Sequence, residues 1–224
     1  FFRNDQKVIG VKNYFNVLIS SMLEEPNSYN TDLRTYLKYI ESWSRRNQET
    51  PTIESGGAGS RQIPEIMILG NFIDEEGLWE IFDEFDCKIS ADDLCSSSRY
   101  FENIIQSGNF SNIFGRKQEL PNGEISIDRL LRDIAIRQLF KPQCMRMANL
   151  NNKIEEINKN IIKNKIKGII YISQKFCDNT LLFYPLLREK LNEKNIPSLF
   201  IEIEHNNLSV GQIKTRIQAF LEII

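Results

Sequence analysis

Short runs of consecutive apolar residues limit the fold of this chain more than any other feature of its sequence. Four strand-like segments alternate with helical patterns in its carboxyl-terminal part: Ile66–Gly70, Cys87–Ala91, Gly168–Ser173 and Ser198–Ile203. Continuously apolar strands separated by helices are typical of a parallel sheet that is covered on both faces. The sequence therefore predicts a doubly wound α/β domain with a four-stranded parallel sheet over residues 64–224.

Helical periodicity fills the remaining segments. Apolar residues recur at spacings of three and four in five stretches between and after the strands, at 74–85, 127–140, 154–166, 180–194 and 209–224. Residues 1–45 contain two further helical patterns without a strand pattern, which predicts a helical connector that packs onto another part of the protein. Residues 46–63 are polar and glycine-rich, which predicts a flexible linker.

Composition excludes several classes of partner. The formal net charge of −2 on 224 residues provides no general attraction to nucleic acid or to anionic lipid. No apolar run approaches the roughly 20 residues that span a bilayer, and the first residues lack the pattern of a secretory signal. We expect a cytoplasmic protein with no nucleic-acid or membrane partner. Because the chain begins without methionine, we expect it to be a piece of a longer protein.

The cysteines are the main candidates for chemistry. In open parallel sheets, ligands bind beyond the carboxyl ends of the strands, and Cys95 and Cys177 each follow a predicted strand there. Cys144 lies in a proline-containing loop that could reach the same edge. Thiolates at such an edge favour zinc, copper or an iron-sulfur cluster. The sequence contains no close Cys-x-x-Cys pair, so scattered half-buried thiols remain the alternative, and Cys87 fits that alternative well.

Other polar residues at this edge have ordinary structural interpretations. His205 is the single histidine, and no Gly-x-Ser-x-Gly pattern accompanies it to indicate a hydrolase relay. Glu202 and Glu204 are compatible with outward-facing positions of a strand. The run Ser96–Ser98 is compatible with a cap of the helix that begins near Arg99.

A set of motifs nevertheless carries a resemblance to a known family. The motifs, in order, are Asp92–Phe101, Pro142–Met145, Lys175–Asp178 with Tyr184–Leu187, and Gly211–Glu222. In this order and spacing they resemble the carboxyl-terminal domain of the 2-hydroxyacyl-CoA dehydratase and benzoyl-CoA reductase family. The resemblance covers residues 64–224 and implies a flavodoxin-like fold.

The resemblance implies a particular chemistry and assembly. Members are cytoplasmic two-subunit enzymes of anaerobes, each subunit having two flavodoxin-like lobes with a [4Fe-4S] cluster between them. An ATP-dependent iron-sulfur activator delivers single electrons. One electron added to the thioester carbonyl of an (R)-2-hydroxyacyl-CoA gives a ketyl anion that expels the neighbouring hydroxyl, which leads to the enoyl-CoA. We therefore expect a lyase subunit, a second subunit of the same family as partner and a CoA-thioester substrate.

The resemblance also implies roles for individual residues. Cys177 is the expected cluster ligand, and Cys95 and Cys144 match motif positions that would serve as ligands or as neighbours of the cluster. Four further residues could steady the cluster or the thioester: Arg99, Lys175, Asp178 and Gln212. The family's other ligands come mainly from an amino-terminal lobe, which we expect to be missing before the helical connector. Alternative functions are a benzoyl-CoA-reductase-type subunit, a non-catalytic assembly subunit, or a flavodoxin-like module with redox thiols and no cluster.

Overall fold

The computed structural model describes residues 10–25, 27–31, 33–35, 37–38, 63–101, 127–140, 144–146 and 149–224. In chain order the elements are α1 (Val11–Leu23), β1 (Glu65–Gly70), α2 (Glu76–Asp83), β2 (Lys88–Asp93), α3 (Ser98–Phe101), α4 (Ile127–Phe140), α5 (Leu150–Lys163), β3 (Gly168–Gln174), α6 (Asp178–Asn192), β4 (Ser198–Ile203) and α7 (Val210–Ile223). The predicted alternation of strands and helices is confirmed.

The four strands form one parallel sheet in the order β2-β1-β3-β4. Strand β1 pairs with β2 on one side and with β3 on the other, where Gly70 lies opposite Ile172. The chain therefore leaves β1 toward one edge of the sheet and later returns to its other side. This reversal places the topological switch point between β1 and β3, where the carboxyl ends of parallel strands form a crevice.

Apolar side chains on the two faces of the sheet form two separate cores. The first core joins the sheet to α1, α2 and α7 through fully buried residues that include Phe15, Trp79 and Ile217. The second core joins the opposite face to α5 and α6 and includes Ile157 and Leu187. Because both faces are covered, the continuous apolar character of the strands is explained, and the doubly wound fold is confirmed.

Helix α1 packs onto the α/β domain. The ring of Phe15 stacks on Trp79 with 3.8 Å between centroids. The carboxylate of Asp83 accepts hydrogen bonds from the backbone amides of Val11 and Lys12 at the start of α1.

Other predictions for the amino-terminal part lie largely outside the described residues. The second predicted helical pattern is helical where it is described, at 33–35 and 37–38. The predicted linker is described only at its last residue, so its flexibility remains a prediction. Within the described ranges, no helix is both long and apolar enough to cross a membrane.

Candidate functional site

Cys177 lies at the switch point of the sheet. The carboxamide oxygen of Asn71, directly after β1, accepts a hydrogen bond of 3.2 Å from the backbone amide of Gln174 at the end of β3. A four-residue turn follows, closed by the Cys177 amide donating to the Gln174 carbonyl at 3.2 Å. The structure thus places Cys177 in the crevice where ligands bind in open α/β sheets.

The surroundings of Cys177 favour its thiolate. Cys177 is the N-cap residue of α6, and its Sγ lies 2.8 Å from Oγ1 of the buried Thr180. Partial burial raises the pKa of Cys177, but hydrogen bonds from Thr180 and Asn71 and the nearby charge of Arg146 lower it further than burial raises it. The pKa of Cys177 therefore lies below its ordinary value. A thiol of this kind is suited to act as a metal ligand or a nucleophile.

The hydrogen bond between Thr180 and the Cys177 sulfur predicts the effect of removing the Thr180 hydroxyl. Thr180→Val preserves side-chain shape but deletes a hydrogen bond to sulfur, so we expect the pKa of Cys177 to rise. Alkylation of Cys177 by iodoacetamide at pH 7 should slow by about threefold to tenfold, as measured by mass spectrometry of the folded chain. Thr215→Val, on the exposed face of α7, is the matched control and should not change the rate. An unchanged rate in Thr180→Val would contradict the role of the hydroxyl.

Arg99 organises the second part of the site. Its Nε donates to Asp93 Oδ1 at 2.9 Å, and its Nη2 donates to the carbonyl oxygens of Asp93 and Gly70 at 2.8 and 3.1 Å. Its Nη1 donates to Cys95 Sγ at 3.0 Å, and Nη2 also approaches the sulfur of Met145 at 3.7 Å. Arg99 thus ties the ends of β1 and β2 to two sulfur atoms.

Asp93 balances the positive charges of Arg99 and Lys153. Its second carboxylate oxygen lies 3.0 Å from Nζ of Lys153, which is 1% exposed and also pairs with Glu156. Burial raises the pKa of Asp93, but the charges of Arg99 and Lys153 outweigh it and hold this pKa below its usual range. Two buried cations therefore depend on one buried carboxylate.

The second strand extends two residues beyond its predicted end at Ala91, so the predicted boundary was wrong for Asp92 and Asp93. Both residues end β2, at 4% and 5% exposure. Burial is possible because Asp92 accepts hydrogen bonds from the Ser97 hydroxyl and the Ser98 amide, while Asp93 pairs with its two cations. These hydrogen bonds also explain Ser97 and Ser98, since both hold the turn after β2 against the strand end.

Cys95 and Cys144 lie near Arg99, whose pKa they both influence. Burial raises the pKa of Cys95, and although Arg99 opposes this effect, the net shift is upward. Cys95 is thus a neutral thiol that accepts a hydrogen bond from Arg99, unlike Cys177. The hydroxyl of Tyr171 donates to the Thr180 carbonyl at 3.0 Å, and burial raises the pKa of Tyr171. Cys95 and Cys144 thus lie beside Arg99, whereas Cys177 lies beside Asn71 and Thr180.

These thiols do not form a compact three-ligand set. Within the described residues, one group of three His, Cys, Asp or Glu side chains has its ligand atoms within 4.8 Å of one another, and it consists of Asp74, Glu75 and His205. His205 Nδ1 lies 3.5 Å from Asp74 and 3.2 Å from Glu75, and the Asn206 amide donates to Glu75 at 2.8 Å. This group braces the loops after β1 and β4.

Cys87 behaves as the sequence predicted for a structural thiol. It lies just before β2 and packs against the first core. Burial, together with Asp86 and Asp83, raises its pKa to about 12. Cys87 therefore provides an internal reference that remains protonated under conditions in which Cys177 reacts.

The other residues predicted to contact the cofactor or the thioester lie at separate positions around the site. Lys175 is the second residue of the turn Gln174–Cys177, but its ammonium pairs with Glu204 at 2.7 Å. Asp178 begins α6 and is exposed, and Gln212 is exposed in the first turn of α7. Contact of Lys175, Asp178, Gln212 or Arg99 with a cofactor or thioester remains a prediction.

Three residues of this site were missed by sequence reasoning: Asn71, Thr180 and Lys153. Asn71 directly follows a predicted strand and Thr180 begins a predicted helical stretch, and neither position by itself indicates a contact with sulfur. Lys153 had a detectable signal, since it shares an otherwise apolar helical face with Ile157 and Ile161. A lysine at such a position predicts a buried counter-charge, but not its identity.

Sequence comparison extends these observations. The family described as 2-hydroxyglutaryl-CoA dehydratase, D-component, matches residues 1–224. The chain is 28% identical over 162 residues to the (R)-phenyllactyl-CoA dehydratase beta subunit of Clostridium sporogenes, covering 71% of this chain and 37% of the relative. It is 26% identical over 160 residues to the lactoyl-CoA dehydratase subunit beta of Anaerotignum propionicum, covering 71% and 38%.

A third relative matches a longer segment. The chain is 22% identical over 189 residues to the (R)-2-hydroxyglutaryl-CoA dehydratase, subunit beta, of Acidaminococcus fermentans, covering 83% of this chain and 44% of the relative. The chain thus spans less than half the length of each of these three relatives.

Proposed function

The chain belongs to the 2-hydroxyglutaryl-CoA dehydratase D-component family, and from this premise we propose that it is part of an enzyme that eliminates water from a 2-hydroxyacyl-CoA thioester. The product is the corresponding enoyl-CoA. The three relatives are each named as the beta subunit of a dehydratase that acts on such a thioester, which supports a second subunit as partner. The single observation that carries the proposal is the position of Cys177 at the switch point of the sheet, where Thr180 lies 2.8 Å from its sulfur and its pKa lies below the ordinary value.

The donor set at this position fits one ligand of an iron-sulfur cluster. A cluster ligand must be a thiolate, and Cys177 is the thiol whose pKa is lowered, with hydrogen bonds from Thr180 and Asn71. A [4Fe-4S] cluster would supply single-electron reduction of the thioester carbonyl, with the electron delivered by an ATP-dependent activator. Cys177 would hold such a cluster from the β3 side of the crevice.

Cys95 and Cys144 have a different role in this proposal. Cys95 accepts a hydrogen bond from Arg99 and its pKa is raised, so in this proposal it lies beside the cluster and would adjust the local polarity. Arg99 presents positive charge toward the same region. The remaining ligands would then come from segments outside the described residues or from the partner subunit.

Anaerobic reconstitution of the full chain with iron and sulfide tests this proposal. We expect visible absorption and, after reduction, an electron paramagnetic resonance signal in the wild type and in the matched control Cys87→Ala. Cys177→Ala should lose at least nine-tenths of both signals, because one of the cluster's protein bonds is removed. A Cys177→Ala protein with an undiminished cluster would overturn the assignment.

The main alternative is a non-catalytic assembly subunit of the same fold. It is favoured by the absence of a compact three-thiol set among the described residues. A chain that remains colourless after reconstitution, yet binds a dehydratase subunit of this family, would support this alternative.

A further inference from the structure

Phe176 occupies an unusual position in the turn that carries Cys177. It is the third residue of the four-residue turn Gln174–Cys177 and has a φ of +67°. Glycine and asparagine favour this region of backbone space, whereas a bulky aromatic residue there is a genuine outlier. The other non-glycine residues with positive φ in the described chain are Lys165, Asn195 and Asn206. Phe176 is the aromatic residue of this set.

Neighbouring contacts impose this conformation. On one side, the Gln174 amide is held by Asn71 and the Lys175 amide donates to the Ile203 carbonyl at 2.8 Å. On the other side, Cys177 is held by Thr180. Strained residues that are fixed by their surroundings cluster at functional sites, so the strain calls for a functional explanation.

The ring of Phe176 is not explained by packing. Its exposure of 87% is the highest among the large apolar side chains in the described part of the chain. An apolar residue just before an N-cap often packs against the fourth helical residue, here Leu181, and thereby fixes the start of the helix. At this exposure, the ring of Phe176 buries little apolar surface in such a contact. Among the residues that the structure describes, neither backbone preference nor burial accounts for a phenylalanine at this position.

A second exposed aromatic residue follows the strand on the other side of the crevice. Phe72 directly follows Asn71 and is 40% exposed. Asn71 hydrogen-bonds Cys177 from the β1 side, and Phe176 precedes Cys177 on the β3 side. A group bound near the Cys177 sulfur therefore has an accessible aromatic residue on the chain segment at each side.

We propose that Phe176 contacts the acyl group of the thioester and selects acyl groups that carry an apolar alkyl or aryl substituent. This inference rests on the proposed function, since it needs the thioester carbonyl to lie beside the group that Cys177 holds. The substituent on the acyl chain is only a few bonds from that carbonyl, so it reaches the residues next to Cys177. Contact with an aromatic ring stabilises a bound apolar substituent. A carboxylate at the same place loses hydration, which weakens binding.

Calorimetric titration of the full chain with thioesters tests the inference. The wild type should bind (R)-phenyllactyl-CoA more tightly than 2-hydroxyglutaryl-CoA. Phe176→Asn removes the ring but tolerates positive φ, so its urea midpoint should equal or exceed that of the wild type. Its affinity for (R)-phenyllactyl-CoA should fall about tenfold, while its affinity for lactoyl-CoA, which has only a methyl group, should change by less than about twofold. Leu182→Gln, an exposed apolar position on α6, is the matched control and should keep both affinities.

Each other outcome has a distinct meaning. If the wild type binds these thioesters but Phe176→Asn binds (R)-phenyllactyl-CoA equally well, the inference fails and the proposed function stands. If Phe176→Asn lowers the urea midpoint, the ring supports the fold, and the inference fails. If the wild type binds none of the thioesters, the proposed function itself fails for this chain.

Discussion

Gly70→Ala is expected to destabilise the protein by about 3 kcal/mol, through steric overlap and backbone strain together. Gly70 ends β1 with a φ of +155°, and a Cβ atom there would lie 1.9 Å from the carbonyl oxygen of Ile172. That oxygen belongs to the backbone of the neighbouring strand and cannot turn aside as a side chain does. The strands β1 and β3 would have to separate at the switch point.

The substitution should also disturb the site, because the Gly70 carbonyl accepts a hydrogen bond from Arg99. Urea denaturation of the full chain measures the loss of stability. Gly211→Ala is the matched control, since nothing lies within 4 Å of its added Cβ and alanine favours the helix in which it lies. We expect the control to be neutral or slightly stabilising. A Gly70→Ala protein as stable as the wild type would show that the two strands are less closely spaced than described.

Asp93→Asn is expected to cost about 3 to 5 kcal/mol in the free energy of unfolding. The substitution keeps the size of the side chain but removes the one charge that compensates Arg99 and Lys153 inside the protein. Two buried cations would then face each other without a carboxylate between them. Denaturation at pH 7 measures the effect, and a loss below about 1 kcal/mol would contradict the buried charge cluster.

The dependence of this effect on pH has a definite sign. The pKa of Asp93 in the folded protein lies below its value in the unfolded chain. Its stabilising contribution is therefore complete above about pH 4 and is lost as the pH falls through the folded-state pKa. The difference between wild type and Asp93→Asn should stay constant from pH 5 to 7 and shrink in stronger acid.

Lys153→Met separates this charge effect from simple packing. It removes a cation that is 1% exposed and replaces it with an apolar side chain of similar length. Asp93 keeps its pairing with Arg99, and Glu156, at 38% exposure, can be hydrated. We expect a loss of about 1 kcal/mol or less. A loss as large as that of Asp93→Asn would instead indicate that Lys153 is the main stabilising charge.

The fold could largely be predicted because the sequence patterns that mark each strand and helix involve only neighbouring residues. Strands buried on both faces must be continuously apolar, and Ile66–Gly70 and Gly168–Ser173 show this directly. The error at Asp92 and Asp93 arose from the same rule, since carboxylates look incompatible with a buried strand end. Their compensating partners lie on α3, α5 and the preceding turn, and local patterns do not reveal such partners.

The candidate site was predicted only as a set of residue types at one edge. Cys177 was found because it directly follows a strand. The contrast between a lowered pKa at Cys177 and a raised pKa at Cys95 was not predictable, because a pKa depends on burial and on groups that surround the sulfur. Asn71, for example, lies 103 residues before Gln174, the residue whose amide it binds.

The sequence by itself determined the alternation of helices and strands and the presence of Cys177 just beyond a strand end, because side-chain periodicity and strand boundaries are properties of neighbouring residues. The tertiary structure alone decided that β1 and β3 are neighbours, that Asn71 and Thr180 bind the Cys177 sulfur, and that Arg99 and Lys153 share Asp93. Strand order and electrostatic environment arise from contacts between distant segments, and only the packed core brings those segments together.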